Sequence, residues 1–248
     1  MGTKVGPKII QTGLIFCADP ANPESFNVST NALTDIVGNK SMTLGANTVD
    51  VTTFGVRHFA SSAGETGSGD LDTGVRYGST SDKIVGADSS FTVYFWVYKT
   101  TGAPNNWWHT ITDGASGDIL TVQNSVNGNF VISMNSSTGG TGASGTYSGV
   151  NWASCKNNSW NMLGVRYDIA SKKIDAFVGH PDNGVTFSTQ IVTSPINTAF
   201  KIRNFNGYGY AQSSYHSDNS FSNMVVYNVN LSNSEIIENF NQLKPRFI

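Results

Sequence analysis

Phe221-Ser-Asn-Met-Val-Val-Tyr227, running on through Asn228-Val-Asn-Leu231 into Ser232-Asn-Ser-Glu-Ile-Ile-Glu-Asn-Phe-Asn-Gln-Leu243, is the stretch whose reading decides the fold. The first seven residues have the apolar, β-branched character of a buried strand. Ser232 followed three residues later by Glu235 has the spacing of a capping box, and Leu231 and Ile236 sit at the positions of a hydrophobic staple. Ile236, Phe240 and Leu243 recur at i, i+4 and i+7, which gives one narrow apolar face before Pro245 stops the helix. The spacing therefore predicts a strand over 221–227 and a docked helix over 232–243.

Upstream, almost everything reads as strand and turn. Short runs of alternating character, bounded by Gly, Asn, Asp and Ser, occur at Leu14 to Ala18, Arg57 to Phe59, Phe91 to Tyr98, His109 to Thr112, Ile119 to Val122 and Phe130 to Met134. They continue at Trp160 to Tyr167, Lys173 to Val178, Phe200 to Phe205 and Phe221 to Tyr227. This cadence predicts an all-β antiparallel two-sheet β-sandwich with a short C-terminal helix. In Phe91 to Tyr98, residues 91, 93, 95 and 97 face one way and 92, 94, 96 and 98 the other, and both sets are largely apolar. The strand is expected to be central and covered on both faces. Trp160 to Val178 reads as a hairpin, with a polar turn at Asp168 to Lys172. Ser61 to Gly69 and Gly139 to Gly149 are Gly- and Ser-rich and read as flexible surface loops. No linker divides the chain, so we expect residues 1–12 to be an arm and 13–248 a single domain.

Only 13% of the 248 residues are charged and the net charge is −2, which gives nucleic acid or an anionic membrane little to attract. The apolar run Phe91 to Tyr98 is far short of the ~20 residues that span a bilayer. We expect neither nucleic-acid binding nor membrane insertion. Met1 to Thr12 carries Lys4 and Lys8 with no apolar region behind them, so no secretory signal is expected. Cys17 and Cys155 are expected to be buried free thiols, since a disulfide framework would bring more cysteines at closer spacing.

Trp160-Asn-Met-Leu-Gly-Val-Arg-Tyr-Asp168, its turn, and Lys173-Ile-Asp-Ala-Phe-Val-Gly179 together resemble the paired strands of laminin-G-like, concanavalin A-like jelly rolls. Gly13-Leu-Ile-Phe-Cys-Ala-Asp-Pro-Ala-Asn-Pro-Glu-Ser-Phe26 resembles the opening strand and turn of such domains in tailed-phage virion proteins, and Phe221 to Asn241 resembles their closing strand and helix. The resemblance implies a jelly roll acting in a virion, as a head-decoration or tail- or fibre-associated structural protein. Its implied partners are other virion proteins or further copies of itself, in an oligomer or lattice, together with host-surface glycans.

Enzymatic chemistry finds little support. A glycosidase needs two carboxylates at a set separation. Glu24, Glu65, Glu235 and Glu238 form no such strand pattern, and Asp70 and Asp72 lie in a Gly-rich loop that fixes neither geometry nor pKa. There is no Gly-x-Ser-x-Gly elbow, and His58, His109, His180 and His216 are scattered. Neither His-Glu-x-x-His nor Cys-x-x-Cys occurs, so zinc is unsupported. Calcium is the one candidate cofactor, because laminin-G-like domains hold it at the rim and Asp19, Asp113, Asp118 and Asp168 are loop carboxylates. Asp also serves as a turn residue, and no metal ligand is named.

Sugar binding would use exposed aromatics flanked by amides. Asn105-Asn-Trp107-Trp108-His109 and the loop holding Tyr208, Tyr210, Tyr215 and His216 have that composition, although burial of Trp107 or Trp108 as a strand begins also accounts for the first and a subunit interface for the second. Three functions follow in order of support: a non-enzymatic phage virion protein, a carbohydrate-binding lectin module outside any virion, and a glycan hydrolase.

Overall fold

The computed structural model describes residues 8–30, 32–38, 40–44, 49–50, 58–59, 75–77, 89–99, 108–112, 118–124, 129–134, 143–191, 204–205 and 220–248. Its strands are β1 (Leu14–Ala18), β2 (Phe26–Asn27), β3 (Ala32–Asp35), β4 (Lys40–Leu44), β5 (Val49–Asp50), β6 (His58–Phe59), β7 (Val75–Tyr77), β8 (Phe91–Lys99) and β9 (Trp108–Thr112). They continue as β10 (Asp118–Asn124), β11 (Asn129–Met134), β12 (Ala143–Asn151), β13 (Ser159–Asp168), β14 (Lys173–His180), β15 (Gly184–Ile191), β16 (Asn204–Phe205) and β17 (Phe221–Tyr227). Helix α1 (Asn233–Leu243) and a 3₁₀ turn, Lys244–Arg246, close the chain.

Every pairing among them is antiparallel. The largest sheet has the order β15-β14-β13-β8-β17-β6-β5, with β1 also paired to β17. A four-stranded meander, β12-β11-β10-β9, and a sheet in the order β16-β7-β4-β3-β2 form the remainder of the β-sandwich. No helix among the described residues is long and apolar enough to cross a membrane.

The central strand behaves as its alternation requires. Residues 91, 93, 95 and 97 of β8 are buried on the face that also carries Leu163, Val165, Tyr167, Ile174, Ala176 and Val178. The opposite face presents Tyr94, Trp96, Trp160, Met162 and Phe177 to Leu231, Ile236, Phe240, Leu243 and Phe247, so α1 covers it. Ser232 caps α1 through the expected capping box, and the staple residues Leu231 and Ile236 are both buried in this cluster.

Two polar fastenings seat the start of the helix. Thr92 Oγ1 donates to the Val229 carbonyl and accepts from the Leu231 amide. The Arg166 guanidinium donates to Asp175, to the Leu231 carbonyl and to Asn233 Oδ1. Residues before β1 lie against the same helix: the Ile10 amide donates to the buried Asn239 side chain, and Tyr227 donates its hydroxyl to the Ile10 carbonyl.

Two expectations change. Gly139 to Gly149 reads as a loop by composition, yet Ala143–Asn151 is a strand paired along β11. Its partner's backbone groups supply the ladder, and such pairing overrides a polar, Gly-containing composition. β15 was absent from the expected runs; Gly184, at φ 78°, turns the chain out of β14 and sets Val185 opposite Gly179. The loop Ser61 to Gly69 and the pair Asp70 and Asp72 lie outside the described residues.

Candidate functional site

Beyond the far end of α1 the helix-covered face opens into a groove of about 640 Å³. Tyr98 from the end of β8, Ser159 and Trp160 from the start of β13, Lys156 and Asn158 from the preceding turn, Pro181 and Asp182 from the β14–β15 turn, and Lys244 and Phe247 from beyond the helix all line it. Strand register accounts for part of this gathering, since Tyr98 lies opposite Trp160.

The apolar wall is a run of packed rings. Phe240 and Phe247 both stack on Trp96, at centroid distances of 5.5 and 4.3 Å. Phe247 lies 5.3 Å from Trp160, and Tyr98 meets Trp160 edge-on at 5.7 Å. Trp160 and Phe247 are buried, whereas Tyr98 is half-buried, so Tyr98 is the ring a ligand could meet.

The polar rim stands on fixed turns. Asn161, fully buried, accepts from the Lys156 amide at 2.8 Å and donates to the carbonyls of Lys156 and Ser159, which sets the turn carrying Lys156 and Asn158. Asn158 adopts φ 51°, a left-handed conformation that Asn tolerates, and its amide donates to the Lys99 carbonyl. His180 Nδ1 accepts from the amides of Asp182 and Asn183, fixing the opposite turn. Lys156 and Asp182 then meet across the rim at 2.9 Å. The hydrogen bond from Lys156, aided by the charges of Lys156, His180 and Lys244, holds the Asp182 carboxyl below its usual range.

Among the side chains that line the groove, Asp182 carries the one carboxylate, whereas glycoside hydrolysis uses a pair of them.

A second cavity, of about 260 Å³, lies between β1, the β17 bulge at Asn223 and Arg246. Arg246 forms a two-pronged ion pair with Asp19, at 2.6 and 2.8 Å. Cys17 lines this cavity as a buried free thiol whose pKa is pushed far up by burial and by Asp19 and Asp35. Cys155 is likewise free, and burial pushes its thiol up to about 12. Both remain protonated, so neither is a nucleophile at neutral pH.

Of the expected sugar-contacting residues, Trp107, Tyr208, Tyr210, Tyr215 and His216 lie outside the described residues, and Trp108 begins β9, where it pairs with Gln123. Of the calcium candidates, Asp19 is engaged by Arg246, and Asp168 accepts from the Ala170 amide and the Ser171 hydroxyl within its own turn. Asp113 is outside the described residues, and among those described no group of three His, Cys, Asp or Glu gathers. The groove itself escaped sequence reading because its lining comes from four separated segments. The one usable signal was Tyr98, the last outward ring of β8.

No family model and no curated protein matches the sequence. Solved structures do match. The receptor-binding domain of botulinum neurotoxin D is similar with a TM-score of 0.62 at 13% identity, over 92% of this chain and 52% of that one. The binding domain of botulinum neurotoxin DC, solved in complex with SialylT, gives 0.60 at 13% identity, over 93% and 52%. Trypanosoma rangeli sialidase, solved with a difluoro-KDN ligand, gives 0.53 at 12% identity, over 98% of this chain and 35% of the enzyme. The likeness is one of fold. The chain spans about half the length of the neurotoxin binding domains and about a third of the sialidase.

Proposed function

We propose that this chain is a carbohydrate-binding β-sandwich module that attaches to glycans without cleaving them. One observation carries the reading: a half-buried Tyr98, backed by Trp160 and Phe247, faces polar groups of Lys156, Asn158 and Asp182 held on fixed turns. An apolar wall with a few placed hydrogen-bonding groups is what a sugar ring needs, with one face for stacking and hydroxyls for the rim. The fold likeness to binding domains, one of them solved with a glycan, supports the same reading.

Isothermal titration against a panel of oligosaccharides, with and without calcium, tests it. Tyr98→Ala should weaken binding by about tenfold or more, the equivalent of ~1.4 kcal/mol of lost stacking. Running Tyr208→Ala and Tyr210→Ala in parallel separates the groove from the tyrosine loop. Tight binding that ignores Tyr98 but follows the loop would move the site, and a folded protein that binds no glycan would end the proposal.

The resemblance of Phe221 to Asn241 to the closing strand and helix of phage virion proteins favours a second, more specific setting, in which the module decorates a phage head or tail. Detection of the chain in purified particles by mass spectrometry tests that setting separately.

A further inference from the structure

We infer that the groove selects acidic glycans, taking a sugar carboxylate or sulfate between Lys156 and Lys244 in the place that Asp182 now fills. The inference rests on the glycan-binding reading and adds the charge class of its ligand. The polar end of the groove already holds a carboxylate, for Lys156 reaches both oxygens of Asp182, at 3.1 and 2.9 Å. That pair is solvent-exposed, with 42% and 59% of the two side chains accessible, and exposed pairs of this kind are weak. A ligand anion can therefore displace Asp182 at little cost.

Lys244 supplies the second cation. Among the described residues no carboxylate pairs with it, and its ammonium rests 5.8 Å from the centroid of the Phe240 ring. It also lies near enough to Asp182 to act on its charge. Two lysines thus share the groove with one exchangeable carboxylate and a half-buried tyrosine, while the chain as a whole is net negative. A lysine ammonium is a point charge with rotatable donors, so it accepts carboxylate and sulfate alike.

Lactose, sialyllactose and sulfated lactose share one scaffold and provide the test. Both acidic forms should bind more tightly than lactose, and their advantage should shrink as salt shortens the reach of exposed charges. Lys156→Ala and Lys244→Ala should each weaken acidic-sugar binding about threefold to fivefold more than they weaken lactose binding. Asp182→Asn should act in the opposite direction and tighten acidic-sugar binding, which no general loss of structure would do. If only one acidic form gains, the inference holds for that anion. Equal affinity for lactose and both acidic forms, or weaker acidic-sugar binding in Asp182→Asn, overturns the inference while leaving glycan binding intact. Failure of all three sugars, and of the wider panel, overturns both.

Discussion

Replacing Gly179 by Ala asks whether the helix seat is built to the ångström. Gly179 lies in β14 between Met162 and Val185, where an added Cβ would stand 2.4 Å from Phe240 Cδ2, 2.6 Å from Cε2 and 3.1 Å from Met162 Cβ. The first two distances lie well inside van der Waals contact, so the ring must move. It has nowhere simple to go, because Phe240 is buried and stacked within 8° of parallel on Trp96. The displacement therefore passes into α1. Overpacking a filled core costs ~1–3 kcal/mol, and the loss of chain freedom when Ala replaces Gly returns about 0.4–1 kcal/mol. The net expectation is a loss of ~1–2 kcal/mol. Phe240→Ala alone should cost about 3–5 kcal/mol. In the double variant the new methyl occupies space the ring has left, so the two costs should fall short of additive by about 1–2 kcal/mol. Urea titration followed by tryptophan fluorescence measures all four proteins. A Gly179→Ala protein of unchanged stability, or costs that add within ~0.5 kcal/mol, would refute the packing argument.

Arg166→Ala should cost ~2–4 kcal/mol in the same titration, because it strips two hydrogen bonds from the β13–α1 junction and leaves a mostly buried Asp175 on β14 without its cation. Arg166→Lys should recover less than half of that, as an ammonium cannot serve three separated acceptors. Ser232→Ala should cost about 1 kcal/mol by removing the N-cap. Hydrogen bonds from the Ser232 amide and hydroxyl hold the Glu235 carboxyl below its usual range. A lowered folded pKa stabilises fully above the unfolded value of about 4.3 and fades as pH falls through the folded one, so the deficit of Ser232→Ala should narrow in acid melts below that value.

Legibility in the sequence followed the physics of each segment. The capping box, the staple and the i, i+4, i+7 face were readable because helix signals are local, and α1 begins where they place it. β8 was readable because it is covered on both faces and so is largely apolar. β12 was not, since its pairing comes from β11 rather than from its own composition. The groove was illegible for a different reason: Lys156, Asp182 and Lys244 are ordinary surface charges until two turns and the helix end bring them together. The ion pair of Arg246 with Asp19, which ties the end of the chain to its first strand, spans 227 positions and leaves no periodic trace.

The placement of the groove follows from how the helix is held. Thr92 lies opposite Arg166 and Tyr98 opposite Trp160, so the antiparallel β8–β13 pair offers a polar anchor at one end and an aromatic one at the other. The helix start is fastened by hydrogen bonds from the Leu231 amide to Thr92 and from Arg166 to the Leu231 carbonyl, which are directional and fix its register. Its far end is fastened by stacking of Phe240 and Phe247 on Trp96, which fixes depth more than direction. Lys244 and Phe247 are carried beyond that second anchor and form one wall of the groove, while Tyr98 and Trp160 come from the sheet and Asp182 from the β14–β15 turn. A groove made half from sheet and half from helix end exists only while the two are docked, so anything that loosens α1 must also dismantle the site. Binding and helix docking are then linked quantities, because a ligand that touches both walls favours the docked state by its own binding free energy.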